Sequence, residues 1–331
     1  MEEVKDISIS EDSAKDLVRQ LRDSGGFTAK KLGVSAGIVR TMLDDEDSLN
    51  FLSFPADIIA TGTRGVIRDM VKKGWFDVIV TTCGTLDHDI ARSFGKYYHG
   101  DFESDDIDLS RRGIHRLGNI FIPEENYGQV IENKMKDWLG SISSSGKNGL
   151  SSSELCSEIG KRLGEDSILY WAWKKEVPVV VPGITDGAVG FQIWQYKQNH
   201  TFNIDLYRDE QMLSELIFKA KRSGALILGG GISKHHVIWW NALKDGLDYV
   251  VYITTAQEYD GSLSGARMRE AITWGKVKED ALQTTVDGDV TLCLPLLYAA
   301  MPPGFLRKGA KIASSSRLTT PLGVAESNLA R

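Results

Sequence analysis

Short apolar runs rich in β-branched residues recur along the chain with helical patterns between them. They are NFLSF from Asn50, DVIVTT from Asp77, VPVVVPGITDG from Val177, ALILGGG from Ala225 and DYVVYITTA from Asp248. None alternates strictly with polar residues, so each reads as a strand buried on both faces. Between them GVIRDMVKKG, QMLSELIFKAKRSG and KHHVIWWNALKDG carry helical spacing. The last two run into a glycine of the kind that stops a helix. Strand and helix in this rhythm predict an α/β fold, a mainly parallel sheet with helices on both faces. Residues 1–45 read as a helical segment, 46–302 as a single large domain, and 303–331 as a weakly periodic tail, mobile or draped on a neighbour. The serine- and glycine-rich stretch from Gly140 to Glu154 reads as a flexible connection without chemistry.

Four of the predicted strands end in small or polar residues: TTCGTLDHD, PGITDG, GGGISKHH and TTAQEYDGS. Open α/β sheets bind ligands outside the carboxyl ends of their strands, so these four loops are the place to look for function. Gly229, Gly230 and Gly231 follow a strand and precede a helix, the setting in which backbone amides hold a phosphate or dinucleotide. Lys234 stands where the G-x-G-x-x-G fingerprint has its third glycine. His235 and His236 are adjacent, point in different directions on a helix, and lack metal-ligand spacing, so no metal is expected. One of them takes a hydrogen-bonding role and the other faces solvent. The segment GSLSGAR, Gly261 to Arg267, has few side chains that would obstruct a ligand or a second backbone.

In EAITWGK, Lys276 comes two residues after Trp274. An indole that strips hydration from an amine disfavours the ammonium form and makes a nucleophile. The competing reading is a helix-face lysine lying over a half-buried ring.

The 331 residues are 42% hydrophobic and 25% charged, with a net charge of −6, which excludes a disordered or fibrous chain. Basic residues are scattered, so no nucleic-acid footprint is present, and an acidic surface suits a cationic ligand. Cys83, Cys156 and Cys293 are odd in number and widely spaced, which excludes a disulfide framework. The start, MEEVKDISIS, has no apolar signal core, and no apolar run is long enough to span a membrane. These features predict a reduced, cytoplasmic protein.

Taken together, LGGGISKHH, VYITTAQEYDGSLSGARMREAITWGK and CLPLL resemble, in order and spacing, the carboxyl-terminal half of deoxyhypusine synthase. The resemblance continues upstream through PGITDGAVG, RRGIHRLGNIFIPEENY, DVIVTTCGTLDHD and FLSFPADIIATG, covering roughly residues 27–301. It implies a Rossmann-like homotetramer with active sites between paired subunits. The implied reaction is NAD-dependent transfer of an aminobutyl group from spermidine to a lysine of a translation initiation factor. Carried over by position, Lys276 is the imine-forming nucleophile and His235 lies near the carbon that loses hydride. Glu270 and Trp274 line the polyamine site, with Asp87, His88, Gly261 and Ser262 beside them. NAD contacts fall on Thr82, Cys83, Gly84, Asp186, Gly230, Thr255, Ala256 and Asp289.

The chain departs from the family pattern at several points. Asp87 and His88 stand where the family has two glutamates, and Phe191 and Leu263 where it has acids. Pro55-Ala56-Asp57 and Thr82-Cys83-Gly84 replace T-S-N and T-A-G. Two other functions therefore stand beside the first: a related NAD-dependent aminoalkyl transferase acting on another amine, as in homospermidine formation, or a non-catalytic NAD-binding scaffold.

Overall fold

The computed structural model describes residues 14–302 and 304–307. The amino-terminal residues from which the lack of a signal was read, and most of the expected tail, lie outside the described residues. Six parallel strands form the central sheet: β1 (Ser48–Ser53), β2 (Val78–Val80), β3 (Val179–Val180), β4 (Arg222–Leu228), β5 (Leu247–Thr254) and β6 (Val277–Asp287). Their spatial order is β3-β2-β1-β4-β5-β6. This is the doubly wound order whose topological switch point lies between β1 and β4.

The unalternating apolar runs are explained by two cores, one on each face. Phe51, Ala225, Ile227, Val250 and Tyr252 point to one side, and Leu52, Leu226, Leu228, Val251 and Ile253 to the other. The first side is covered thinly, by the Tyr207–Lys219 and Gly231–Ala242 helices and the Met268–Trp274 3-10 turn. The second carries most of the remaining helices, including Phe27–Asp44, Thr63–Lys72, Cys83–Phe94, Gly128–Ser144 and Val290–Ala299.

The sequence pattern located five of the six strands and missed β6. Among the described residues that strand lies at the sheet edge with β5 as its only sheet neighbour, and most of its side chains are partly or fully exposed, so it has no apolar run. Gly224 does not stop a helix but sits inside β4, where an added Cβ would come 2.6 Å from Met42 Cγ. The Gly140 to Glu154 stretch is not a flexible connection. The Gly128–Ser144 helix occupies its first part, and Gly149–Leu150 pairs with Asn203–Ile204. Ser151 and Glu154 then form a reciprocal capping box on the Ser152–Gly160 helix. Buried Asp209 accepts from the amide and hydroxyl of both Ser152 and Ser153. The serines there serve as helix-start hydrogen-bonding groups.

The described part of the tail is bound to its own chain. Phe305 lies under the Arg40 guanidinium at 4.5 Å, and Arg307 donates to Asp77 at 2.7 Å. The expected amino-terminal helices are Ala14–Asp23 and Phe27–Asp44, and the second contributes Leu32, Ile38, Val39 and Met42 to the core. A three-stranded antiparallel ribbon formed by Tyr98–His99, Ile114–Leu117 and Ile120–Pro123 stands apart from the main sheet.

Candidate active site

The strand-edge loops converge as a parallel sheet requires. Thr82, Cys83 and Gly84 follow β2, Asp186 follows β3, Gly230 follows β4, Thr255 and Ala256 follow β5, and Asp289 follows β6. Thr82 starts the Cys83–Phe94 helix without a side-chain cap, and Gly230 starts the Gly231–Ala242 helix without one. Two uncapped helix starts at one sheet edge leave amide donors suited to phosphate oxygens. Gly84 lies against the loop after β1, where a Cβ would come 2.8 Å from Ala56 Cβ, so a glycine is required for the close approach. These residues fit a dinucleotide. Gly230 is a glycine for a second reason: a Cβ there would fall 2.1 Å from Ser264 Oγ. Asp289 is partly occupied as a cap, accepting from Leu292 N at 3.2 Å.

Lys276 lies at the other end of the strands. Its carbonyl accepts from Leu247 N at 3.1 Å, beside the start of β5. From there to the loop edge β5 climbs about 23 Å at ~3.3 Å per residue. The side chain is half-buried and does not lie on a helix face, because Gly275, at φ +64°, ends the Met268–Trp274 turn just before it. Its Nζ lies 5.4 Å from the Trp274 ring and 5.9 Å from that of Trp239. Trp239 in turn stacks on His235, with centroids 6.0 Å apart. Residues 235 and 239 are one helical turn apart, so they share a face. The result is a ladder, Lys276 to Trp239 to His235, that runs along the Gly231–Ala242 helix towards the glycine turn. Burial, and then the positive charge of Lys276, hold the His235 imidazole below its ordinary value, leaving it neutral at neutral pH. Trp274 is 68% and Trp239 51% exposed, and Glu270 is exposed beside them. His236 is half-buried, and burial lowers it to about 4, so it does not face solvent freely.

The structure does not bring Asp87 and His88 to this ladder. Both sit in the first turns of the Cys83–Phe94 helix, on the heavily covered side of the sheet. Asp87 accepts from Ala188 N at 2.9 Å, Val189 N at 2.8 Å and the Tyr127 hydroxyl at 3.1 Å. Its carboxylate thus caps the Ala188–Lys197 helix, although burial still raises its pKa. His88 pairs with the Tyr97 hydroxyl at 2.9 Å, and burial holds it down to about 4.

Gly261 and Ser262 belong to the exposed loop after β5, where Gly261 has φ +75° and Ser262 N donates to Asp260 at 2.7 Å. Phe191 and Trp194 form an exposed aromatic pair, ring centroids 5.5 Å apart. Sequence reasoning passed over Trp239, although its place four residues after His235 on a helix was a usable signal.

A doubly wound sheet with a dinucleotide-type loop edge and a half-buried amine on an aromatic ladder is the frame of a Rossmann-like enzyme. The family model for deoxyhypusine synthase matches residues 16–301, and the chain belongs to that family of aminobutyl transferases. It is 54% identical over 308 residues to a probable deoxyhypusine synthase of Ignicoccus hospitalis, covering 91% of this chain and 95% of the relative. A relative of the same description from Picrophilus torridus is 53% identical over 301 residues, covering 90% and 96%. A solved structure from Entamoeba histolytica, described as a candidate deoxyhypusine synthase, aligns with a TM-score of 0.65 at 22% identity. It covers 86% of this chain and 92% of that one, and agrees in fold. No helix among the described residues is long and apolar enough to cross a membrane.

Proposed function

We propose that the protein is an NAD-dependent deoxyhypusine synthase that moves the aminobutyl group of spermidine onto a lysine of a translation initiation factor. The observation that carries this reading is the ladder of Lys276, Trp239 and His235. It places a primary amine, two indoles and a neutral imidazole along one helix that starts at the glycine turn. NAD, held by Thr82, Cys83, Gly84, Asp186, Gly230, Thr255, Ala256 and Asp289, would supply the acceptor and later the donor of hydride.

His235, being neutral, takes the proton that leaves the donor nitrogen as its carbon is oxidised to the imine level. The Lys276 amine adds to that carbon and expels the diamine remnant of spermidine, leaving the aminobutyl group joined to Lys276 as an imine. The acceptor lysine repeats the exchange, freeing Lys276, and reduction of the new imine completes the transfer. Trp274 and Trp239 hold the cationic donor by their ring faces, with Glu270 as the exposed carboxylate and Gly261 and Ser262 leaving space.

Lys276 and the Asp87–His88 helix lie on opposite sides of one sheet. A homotetramer built from pairs that share sites reconciles them, and the exposed Ile232, Trp239 and Leu243 give the thin side an apolar contact surface. A protein working on a translation factor belongs in the cytoplasm. Borohydride treatment with NAD and spermidine should trap an adduct on Lys276, and Lys276→Arg should abolish it while leaving NAD affinity unchanged. An adduct on another lysine, or none, would overturn the assignment.

One observation favours a second donor. Asp87 is taken up as a helix cap, His88 is neutral, and Phe191 is exposed, so the positions offer few free carboxylates to a polycation. A panel of amines scored for NADH formation separates spermidine from a less charged donor, and a scaffold would give no NADH at all.

A further inference from the structure

Lys234 is 0% exposed, rare for an amine. Its Nζ donates to the carbonyl of Leu263 at 2.7 Å and to that of Ala266 at 2.6 Å, and lies 3.9 Å from the centroid of the Tyr252 ring. The Tyr252 hydroxyl donates to the carbonyl between them, Ser264, at 2.5 Å, and Thr254 Oγ1 reaches the same oxygen at 3.3 Å. The loop is therefore gripped through its backbone by β5 and by the Gly231–Ala242 helix. Gly230 admits it from below, where a Cβ would strike Ser264. A lysine is costly here, since apolar residues of similar volume commonly replace buried ions without loss of stability. Its use implies a task that packing alone does not perform.

We propose that Lys234 is a positioning residue, a latch that fixes the 257–267 loop onto the helix bearing His235. Through that loop it sets the placement of Thr255, Ala256, Gly261 and Ser262 relative to His235. The catalytic part of this statement rests on the proposed function; the latch itself rests on geometry alone.

The groups facing the amine are Tyr252 from β5, Arg267 at the end of the loop and Glu270 from the 3-10 turn. Burial lowers Lys234 to about 7, with Glu270 opposing the shift and Arg267 adding to it. Both charge states satisfy the two carbonyls. The ammonium turns its third proton to the Tyr252 ring, and the neutral amine still keeps two N–H donors.

The test is Lys234→Met in the full-length chain. Amide exchange of residues 257–267 in the ligand-free protein should accelerate about tenfold while β1 and β4 stay within about twofold. In turnover, KM for the amine should rise about tenfold with kcat reduced by less than about threefold, a split that a loss of folded enzyme would not produce. Unchanged loop exchange, equal acceleration in β1, or a fall in kcat at constant KM would overturn the latch. If the methionine variant does not fold, Tyr252→Phe removes one tie to the same loop and should accelerate its exchange alone, by about threefold. An unaffected loop in that variant overturns it equally. An absence of turnover in the native protein counts against the proposed function and leaves the exchange result as the test of the latch.

Discussion

The two sides of the sheet solve opposite problems. On the heavily covered side, buried aspartates are spent on helix starts. Asp87 holds the amides of Ala188 and Val189, and Asp89 those of Ile168 and Leu169. Asp209, carried by the Tyr207–Lys219 helix of the thin side, reaches across to hold those of Ser152 and Ser153 at the start of a helix whose Leu155 and Ile159 pack on the heavy side, so charge at these helix starts is consumed internally. On the thin side, Trp239 and Trp274 stay exposed, Lys276 is half-buried, and Lys234, the one fully buried amine among the described residues, faces a loop rather than a helix start. Acidic residues recruited to hold helices in place are lost to ligand binding, while the side left thinly covered keeps its side chains available.

The sharpest way to break this comparison is Asp89→Ala. Asp89 is 0% exposed and accepts from Arg64 at 2.7 Å, from Ser167 and from two amides. Removing it takes the close carboxylate from a guanidinium that is 7% exposed, leaving it the Ser93 hydroxyl, the residue-89 carbonyl and Asp166 at 3.9 Å, at a cost of about 3 kcal/mol. Urea unfolding should show the loss directly, and a midpoint close to native would refute the division of labour.

Trp239→Ala should behave in the opposite way. With half of the indole already exposed, stability should change by less than about 1 kcal/mol. The efficiency of adduct formation should fall roughly tenfold or more, as expected for a lost cation–π and stacking partner. A stability loss without a change in trapping would assign Trp239 to packing instead.

A pH titration compares the sides through one histidine on each. Burial holds His88 and His236 to about 4, so both stay neutral in the fold after the unfolded chain has begun to bind protons near 6.5. Between these values the unfolded state binds more protons, and stability should fall as pH drops from about 6.5 to about 4. His88→Gln and His236→Gln should each flatten part of that slope; a slope unchanged in both variants places its origin elsewhere. The smallest effect belongs to Ser151→Ala, which removes one half of the capping box and should cost about 1 kcal/mol by thermal unfolding. A flexible connection would show no change.

Much of the fold was readable because its strands are buried on both faces. Asn50 to Phe54, Ala225 to Leu228 and Asp248 to Thr254 carry runs that no half-exposed element needs. β6 escaped because an edge strand with an open face has no such run. The Ser151 to Ser153 cluster was misread because capping serines and linker serines share a composition; the Ser151–Glu154 spacing of a capping box was a local signal, whereas Asp209, which also holds Ser152 and Ser153, is far away in sequence. At the candidate site, TWGK and the glycine turn were visible as motifs, and Trp239 was within reach of helical spacing.

The sequence by itself determined the kind of protein: the strand rhythm, the glycine turn, and a motif set that places the chain in its family. Tertiary structure alone decided which charges remain free. Asp87 and Lys234 look alike in a sequence, both polar residues near a strand end. Whether their atoms face a ligand or a neighbouring backbone depends on contacts from Tyr127, Ala188 and Val189 in one case and from Tyr252, Leu263 and Ala266 in the other. A buried polar group must find a partner wherever the fold supplies one, and most of those partners lie too far along the chain for local pattern to reveal.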